Sequence, residues 1–384
     1  MVKLKHCADI SSYDLARMSE QELLERISIR LSMHQELRLI YDEQFITGLT
    51  RSYRETNWLL WALCCRGSLM DSFWRRVVEN LKILADEKAI QHFKAKLRTQ
   101  DEVNLFGYLA ELHFSAFFKR KGFKVVLNPP INDRSADFMI RNNNLPYDIY
   151  FEVKTFGAGH KFVENKIVRM ILTKYIGKED FPFGVFISEV DKIRVDEVHR
   201  VARIIVSHLR KIGGVSDKNL KLKIPIDGNR TILVEVCPHK VLSVAGCCPH
   251  VGHGRLKKFF GKALSQLPED KPGVIIVVRP FEVSEEAIMD ALYGEIAVPF
   301  YKEVGAFGEA YRKTNGFFHK VHRVSTVISA RPVLACTDFR WNATAYHNPN
   351  ARFPLSEEIF KEICTKQLVP KNAAENIVEL KWTS

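Results

Sequence analysis

Glu152 and Lys154 stand two apart in the run Tyr150-Phe151-Glu152-Val153-Lys154. Side chains alternate along a strand, so these two share one face while Phe151 and Val153 turn the other way, toward a core. Asp137 opens the preceding β-type run, ADFMI, and a hairpin through RNNNLP sets its carboxylate beside Glu152 at one end of a sheet. Two hard carboxylate oxygens suit Mg²⁺, which keeps several waters and shares its remaining positions with a phosphate. A lysine beside them can orient an attacking water and offset charge that develops on the phosphorane. The chemistry expected of such an arrangement is metal-assisted hydrolysis. The plainer alternative is a surface ion pair between Glu152 and Lys154 on an amphipathic strand.

The elements needed to position these residues run helix, strand, strand, strand: NLFGYLAELHFSAFFKRKGF, then FKVVL, ADFMI and DIYFEVKTF, with Glu111 on the helix. Two continuations are open. One follows with a helix over 161–175 and the strand FGVFIS. The other, slightly favoured, treats residues 156–250 as an insertion and resumes with the helix RLKKFFGKALSQL and the buried strand GVIIVV. On that helix Leu256, Phe259, Phe260, Ala263, Leu264 and Leu267 form an apolar stripe, with Arg255, Lys258, Lys262 and Gln266 opposite.

With Asp137, Glu152 and Lys154 placed in this order, residues 103–154 resemble the PD-(D/E)XK superfamily of restriction-endonuclease-like nucleases. Ala136 stands where the motif name has Pro. The resemblance implies an α/β fold, a mixed sheet flanked by helices. It implies that Asp137 and Glu152 bind Mg²⁺ or Mn²⁺, that Lys154 is the catalytic lysine, and that Glu111 sits where many members carry an additional acid. The expected activity is hydrolysis of nucleic acid phosphodiesters, with double-stranded DNA as substrate and endonucleolytic cutting. Members often bring a Lys or Gln from the core helix toward the metal, which makes Lys258, Lys262 and Gln266 candidate nucleic-acid contacts. The alternative function is a non-cleaving nucleic-acid-binding module of the same fold in a defence or repair complex.

Residues 1–100 read as a helical accessory domain ahead of a nuclease-like domain over 101–384. Ser19 and Glu22 form a capping box before LLERISIRL, and this block has no proline and only two glycines, Gly48 and Gly67. Helical stretches are expected over 33–54 and 58–84. Further along, KLKIPIDGNRTILVEV reads as a hairpin turning at Asp227 and Gly228. Separate strands are expected near STVIS and PVLAC, before a loop-rich YHNPNARFPL.

The net charge of +12 is concentrated: residues 161–280 hold 22 basic against 12 acidic side chains. A polyphosphate backbone is attracted to such a region, and a well-solvated surface has the same composition. Gly157, Gly159 and His160 follow the Lys154 strand in a loop able to approach a phosphate, though a plain turn also accounts for them. Cys237-Pro-His239 and Cys248-Pro-His250, with Cys247 and His253, raise a structural zinc site against the simpler reading of a loop after a strand. No apolar run reaches membrane length and no disulfide pattern stands out, so a cytoplasmic protein with reduced thiols is expected, and a homodimer is compatible with it.

Overall fold

The Ser19 hydroxyl accepts a hydrogen bond from the Glu22 amide at 3.2 Å, and the Glu22 carboxylate returns to the Ser19 amide at 2.6 Å. This reciprocal cap starts α1 (Glu20–Met33). A computed structural model describes residues 18–370 outside 52–56, 132–133, 157–167, 169–170, 188–191, 213–219, 239–241, 245–252, 280–282, 302–305, 309–310, 336–337 and the single positions 85, 174, 178, 180 and 299, together with residues 9, 15 and 380–383.

The helical block continues as α2 (Leu37–Ile40), α3 (Glu43–Arg51), α4 (Trp58–Cys64), α5 (Ser68–Leu84) and α6 (Glu87–Leu97), followed by α7 (Glu102–Arg120). The stretch expected as one helix over 58–84 is two helices. Cys65 turns extended and Gly67 takes φ +127°, a backbone setting that glycine reaches without strain. The stretch expected over 33–54 is likewise divided, into α2 and α3.

These helices are not a separate accessory domain, because one continuous core runs from them into the sheet. Trp58 meets Phe106 of α7 at 4.9 Å between ring centroids, and Phe73 of α5 meets Phe339 of a sheet strand edge-on at 4.9 Å. Aromatic pairs of this kind add to the burial of their large apolar area. The apolar faces of α5 and α7 are thus covered by the sheet itself.

After α7 come β1 (Lys124–Leu127), β2 (Phe138–Arg141) and β3 (Ile149–Thr155), paired antiparallel in that order. Residues 158–250 then form a compact unit of their own. It contains β4 (Gly184–Ile187), α8 (Val198–Leu209), β5 (Leu220–Pro225), β6 (Thr231–Cys237) and β7 (Leu242–Val244), in a sheet ordered β5-β6-β4-β7 with its own core. The β5–β6 hairpin turns where the sequence implies, and Asp227 accepts hydrogen bonds there from the amides of Asn229 and Arg230.

The first unit resumes with α9 (His253–Leu264) and β8 (Gly273–Val278), then α10 (Glu285–Tyr293), β9 (Val324–Ala335), β10 (Asp338–His347), β11 (Lys366–Pro370) and β12 (Leu380–Thr383). Its sheet has eight strands in the order β1-β2-β3-β8-β9-β10-β11-β12. The sheet is mixed: β8 lies parallel to both β3 and β9, β10 antiparallel to β9, and β11 parallel to β10. All six residues of β8 are buried, because both its faces are covered: Val274 and Ile276 belong to the core under α7, Ile275 and Val277 to the core under α9 and α10.

The strand beside β3 is therefore GVIIVV, and FGVFIS belongs to the other unit. STVIS and the described residues of PVLAC, Pro332 to Ala335, lie in one strand, β9, rather than two. Pro332 sits inside it beyond Ala330, where β8 has ended and that edge carries no ladder. Among the described residues no helix is long and apolar enough to cross a membrane.

Candidate functional site

Antiparallel pairing aligns Phe138 with Phe151, so Asp137, one residue earlier, comes abreast of Glu152. The Asp137 backbone stays in the ladder, its amide donating to the Phe151 carbonyl at 3.1 Å. Its side chain then takes over as acceptor: Oδ2 receives the Val153 amide at 2.8 Å. One carboxylate oxygen is thereby pinned to β3, and the other, Oδ1, receives Lys96 Nζ at 3.1 Å.

Glu152 and Lys154 lie on the α9 face of β3, with Phe151 and Val153 in the core under α7. They form an ion pair, yet Glu152 is no surface residue: it is 0% exposed. Its Oε1 is held by the Lys154 ammonium alone, and its Oε2 accepts no hydrogen bond. Burial first, and the Asp137 carboxylate next, push its pKa up to about 8 against the opposing pull of Lys154. The Lys154 ammonium also donates to Gln266 Oε1 at 3.2 Å, so the residue just past α9 reaches the site.

Glu111 enters from α7 at 1% exposure. Its Oε1 lies 2.6 Å from His92 Nε2 and its Oε2 2.6 Å from Lys96 Nζ. Burial raises its pKa in spite of these partners. Lys96 is the bridge of the cluster, one ammonium shared by Glu111 and Asp137. Burial works against its charge, but the two carboxylates outweigh that and raise its pKa. His92 is held in turn by Asn128, whose side-chain nitrogen lies 3.0 Å from Nδ1.

A close helix–sheet approach brings α7 to this end of β3. A Cβ on Gly107, one turn before Glu111, would lie 2.5 Å from Thr155 Oγ1. Glycine allows the helix to touch the strand there.

Sequence reasoning missed His92 and Lys96, which lie four apart on α6, the helix before the recognisable core. Their only signal is that shared spacing on one face, common to many solvated helices. Of the other candidates, Lys258 and Lys262 are exposed on α9 and touch none of the acidic residues. His160, with Gly157 and Gly159, lies outside the described residues, as do His239, Cys247, Cys248 and His250. Cys237 is buried at the end of β6.

Two or three carboxylates around a cation suit a hard divalent ion. The fully buried carboxylate of Glu152, whose Oε2 accepts no hydrogen bond, is the feature such an ion would satisfy. Among the described residues no group of three or more His, Cys, Asp or Glu side chains is arranged to hold a metal by itself. No protein-family model, curated protein or solved structure was found to match this chain. Fold and site define a mixed α/β protein with a large helix-flanked sheet and a buried acidic cluster at the β2–β3 end.

Proposed function

We propose that this chain is a metal-dependent nuclease with a restriction-endonuclease-like core, hydrolysing double-stranded DNA with Mg²⁺ or Mn²⁺. The observation that carries the reading is Glu152: a fully buried ionisable carboxyl, abreast of Asp137, with the Lys154 ammonium as its one partner among the described residues. Asp137 and Glu152 would hold the ion, and Glu111 would add negative charge behind Asp137. The ion supplies an activated water and charge neutralisation at phosphorus. Lys154, steadied by Gln266, orients that water and offsets the developing charge. Lys258 and Lys262, exposed on α9, contact the DNA backbone. The helix–strand–strand–strand–helix–strand order of α7, β1, β2, β3, α9 and β8 supports the reading.

The test is incubation of plasmid and linear DNA with the protein in Mg²⁺, in Mn²⁺ or in EDTA. Cleavage is expected with either metal, and neither EDTA samples nor Asp137→Ala and Lys154→Ala variants should cut. Cleavage unchanged in either variant would sink the site assignment.

A second reading is a nucleic-acid-binding module that does not cut. It is favoured by Lys96, a protein-borne cation that already bridges Glu111 and Asp137. DNA binding without cleavage in any ion, and no thermal stabilisation by Mg²⁺ or Mn²⁺, would select it.

A further inference from the structure

Residues of α5, α7, β10 and the segment 362–365 line a half-open cavity of about 270 Å³. Three guanidinium groups line it: Arg76 from α5, Arg120 from the end of α7 and Arg340 from β10. All three side chains are exposed, and none has an ion-pair or hydrogen-bond partner among the described residues. The one carboxylate in the lining, Glu362, is already engaged by Lys121. The cavity therefore concentrates positive charge that the fold leaves unanswered.

Asn80 of α5 lines the same cavity at 6% exposure, and its amide, with no hydrogen-bond partner among the described residues, reaches solvent there. A ligand in the cavity can take the place of that solvent. Behind it, His113 stacks on Trp341, with 6.0 Å between centroids and 26° between planes. Burial, with the charges of Arg76 and Arg120, holds the His113 pKa down at about 3. The imidazole is thus neutral and offers both a donor and an acceptor.

We propose that this cavity binds a phosphate monoester, carried by a small nucleotide or by the 5′ end of a nucleic-acid strand. A dianionic tetrahedral group has enough acceptor oxygens to engage several guanidinium forks at once, which a single carboxylate does not. The cavity is larger than a phosphate, and the rings of Phe117 and Trp341 in its wall suit the rest of such a ligand. β10 stands three strands from β3, roughly 14 Å away at ordinary strand spacing, so this is a site apart from Asp137 and Glu152. The proposal is independent of the nuclease reading.

The test is isothermal titration of the whole protein in EDTA, so that no metal at Asp137 and Glu152 holds phosphate. The probes are adenosine monophosphate against adenosine, and a 5′-phosphorylated oligonucleotide against its 5′-hydroxyl form. A preference for the phosphorylated member of either pair is expected. It should be weakened at least tenfold by Arg76→Ala or Arg340→Gln and unchanged in Asp137→Ala. Because the arginines are exposed, melting temperature should stay at the wild-type value. Preference in the first pair identifies a small nucleotide, and in the second pair alone a strand end. Equal binding within both pairs, or a preference that survives both arginine substitutions, overturns the proposal.

Discussion

Lys154 donates a hydrogen bond to Gln266 at 3.2 Å across a separation of 112 residues. The contact exists because β8 pairs parallel with β3, which returns the chain to the site through α9 after the unit at 158–250. Lys154 is half-buried and carries a long flexible stem, so its position depends on the groups that hold its ammonium. Gln266 is a positioning residue on this account.

If Lys154 orients the water, Gln266→Ala should lower kcat for DNA cleavage about tenfold while KM for DNA changes little, as expected when a group that supports another is lost. Gln266→Glu, which still accepts from the ammonium, should retain more activity than the alanine variant. Steady-state kinetics on a linear duplex checks both. A change confined to KM would assign Gln266 to substrate binding instead.

Glu152 makes the stability of the metal-free protein depend on pH. Its pKa rises from 4.5 to about 8 on folding, so the folded chain holds this proton more tightly than the unfolded chain does. The associated stability is complete below pH 4.5 and is lost as pH rises through 8. In EDTA, Glu152→Gln should therefore be close to wild type at pH 4.5 and more stable by about 4 to 5 kcal/mol at pH 8.5. Urea denaturation at the two pH values measures this, and an equal difference at both would rule the account out.

Lys96 neutralises two acids at once. Lys96→Met leaves Glu111, at 1% exposure, with His92 alone, and should destabilise the metal-free fold by about 3 kcal/mol. Adding Glu111→Gln to that background should recover part of the loss, because the buried charge is then gone. Thermal or urea unfolding of the three proteins decides the point. A double variant less stable than the single one would mean that packing, not charge, is what Lys96 supplies.

Much of the core was legible. α7, β1, β2, β3, α9 and β8 all follow from local pattern: the apolar stripe of α9, the unbroken apolar run of β8, the alternation in β3. Alternation also puts Glu152 and Lys154 on one side of β3, and the hairpin aligns Asp137 with them. The C-terminal strands were less legible. DFRWNATAYH mixes charged and apolar residues without clean alternation, and only its place between β9 and β11 makes it a strand. Pro332 reads as a break, yet it is tolerated where β9 outlasts β8.

The sequence by itself determined which residues stand together on β2 and β3, because strand periodicity and hairpin register are local matters. It favoured, without deciding, a return of the chain to the sheet after a long insertion, because β8 carries the hydrophobicity of a strand covered on both faces. The tertiary structure alone decided how far Glu152 is buried, that Lys96 and His92 of an outlying helix close over Glu111, and that Gln266 holds Lys154. Each depends on side chains far apart in the chain meeting through packed layers, and no local pattern of residues encodes which distant groups will meet.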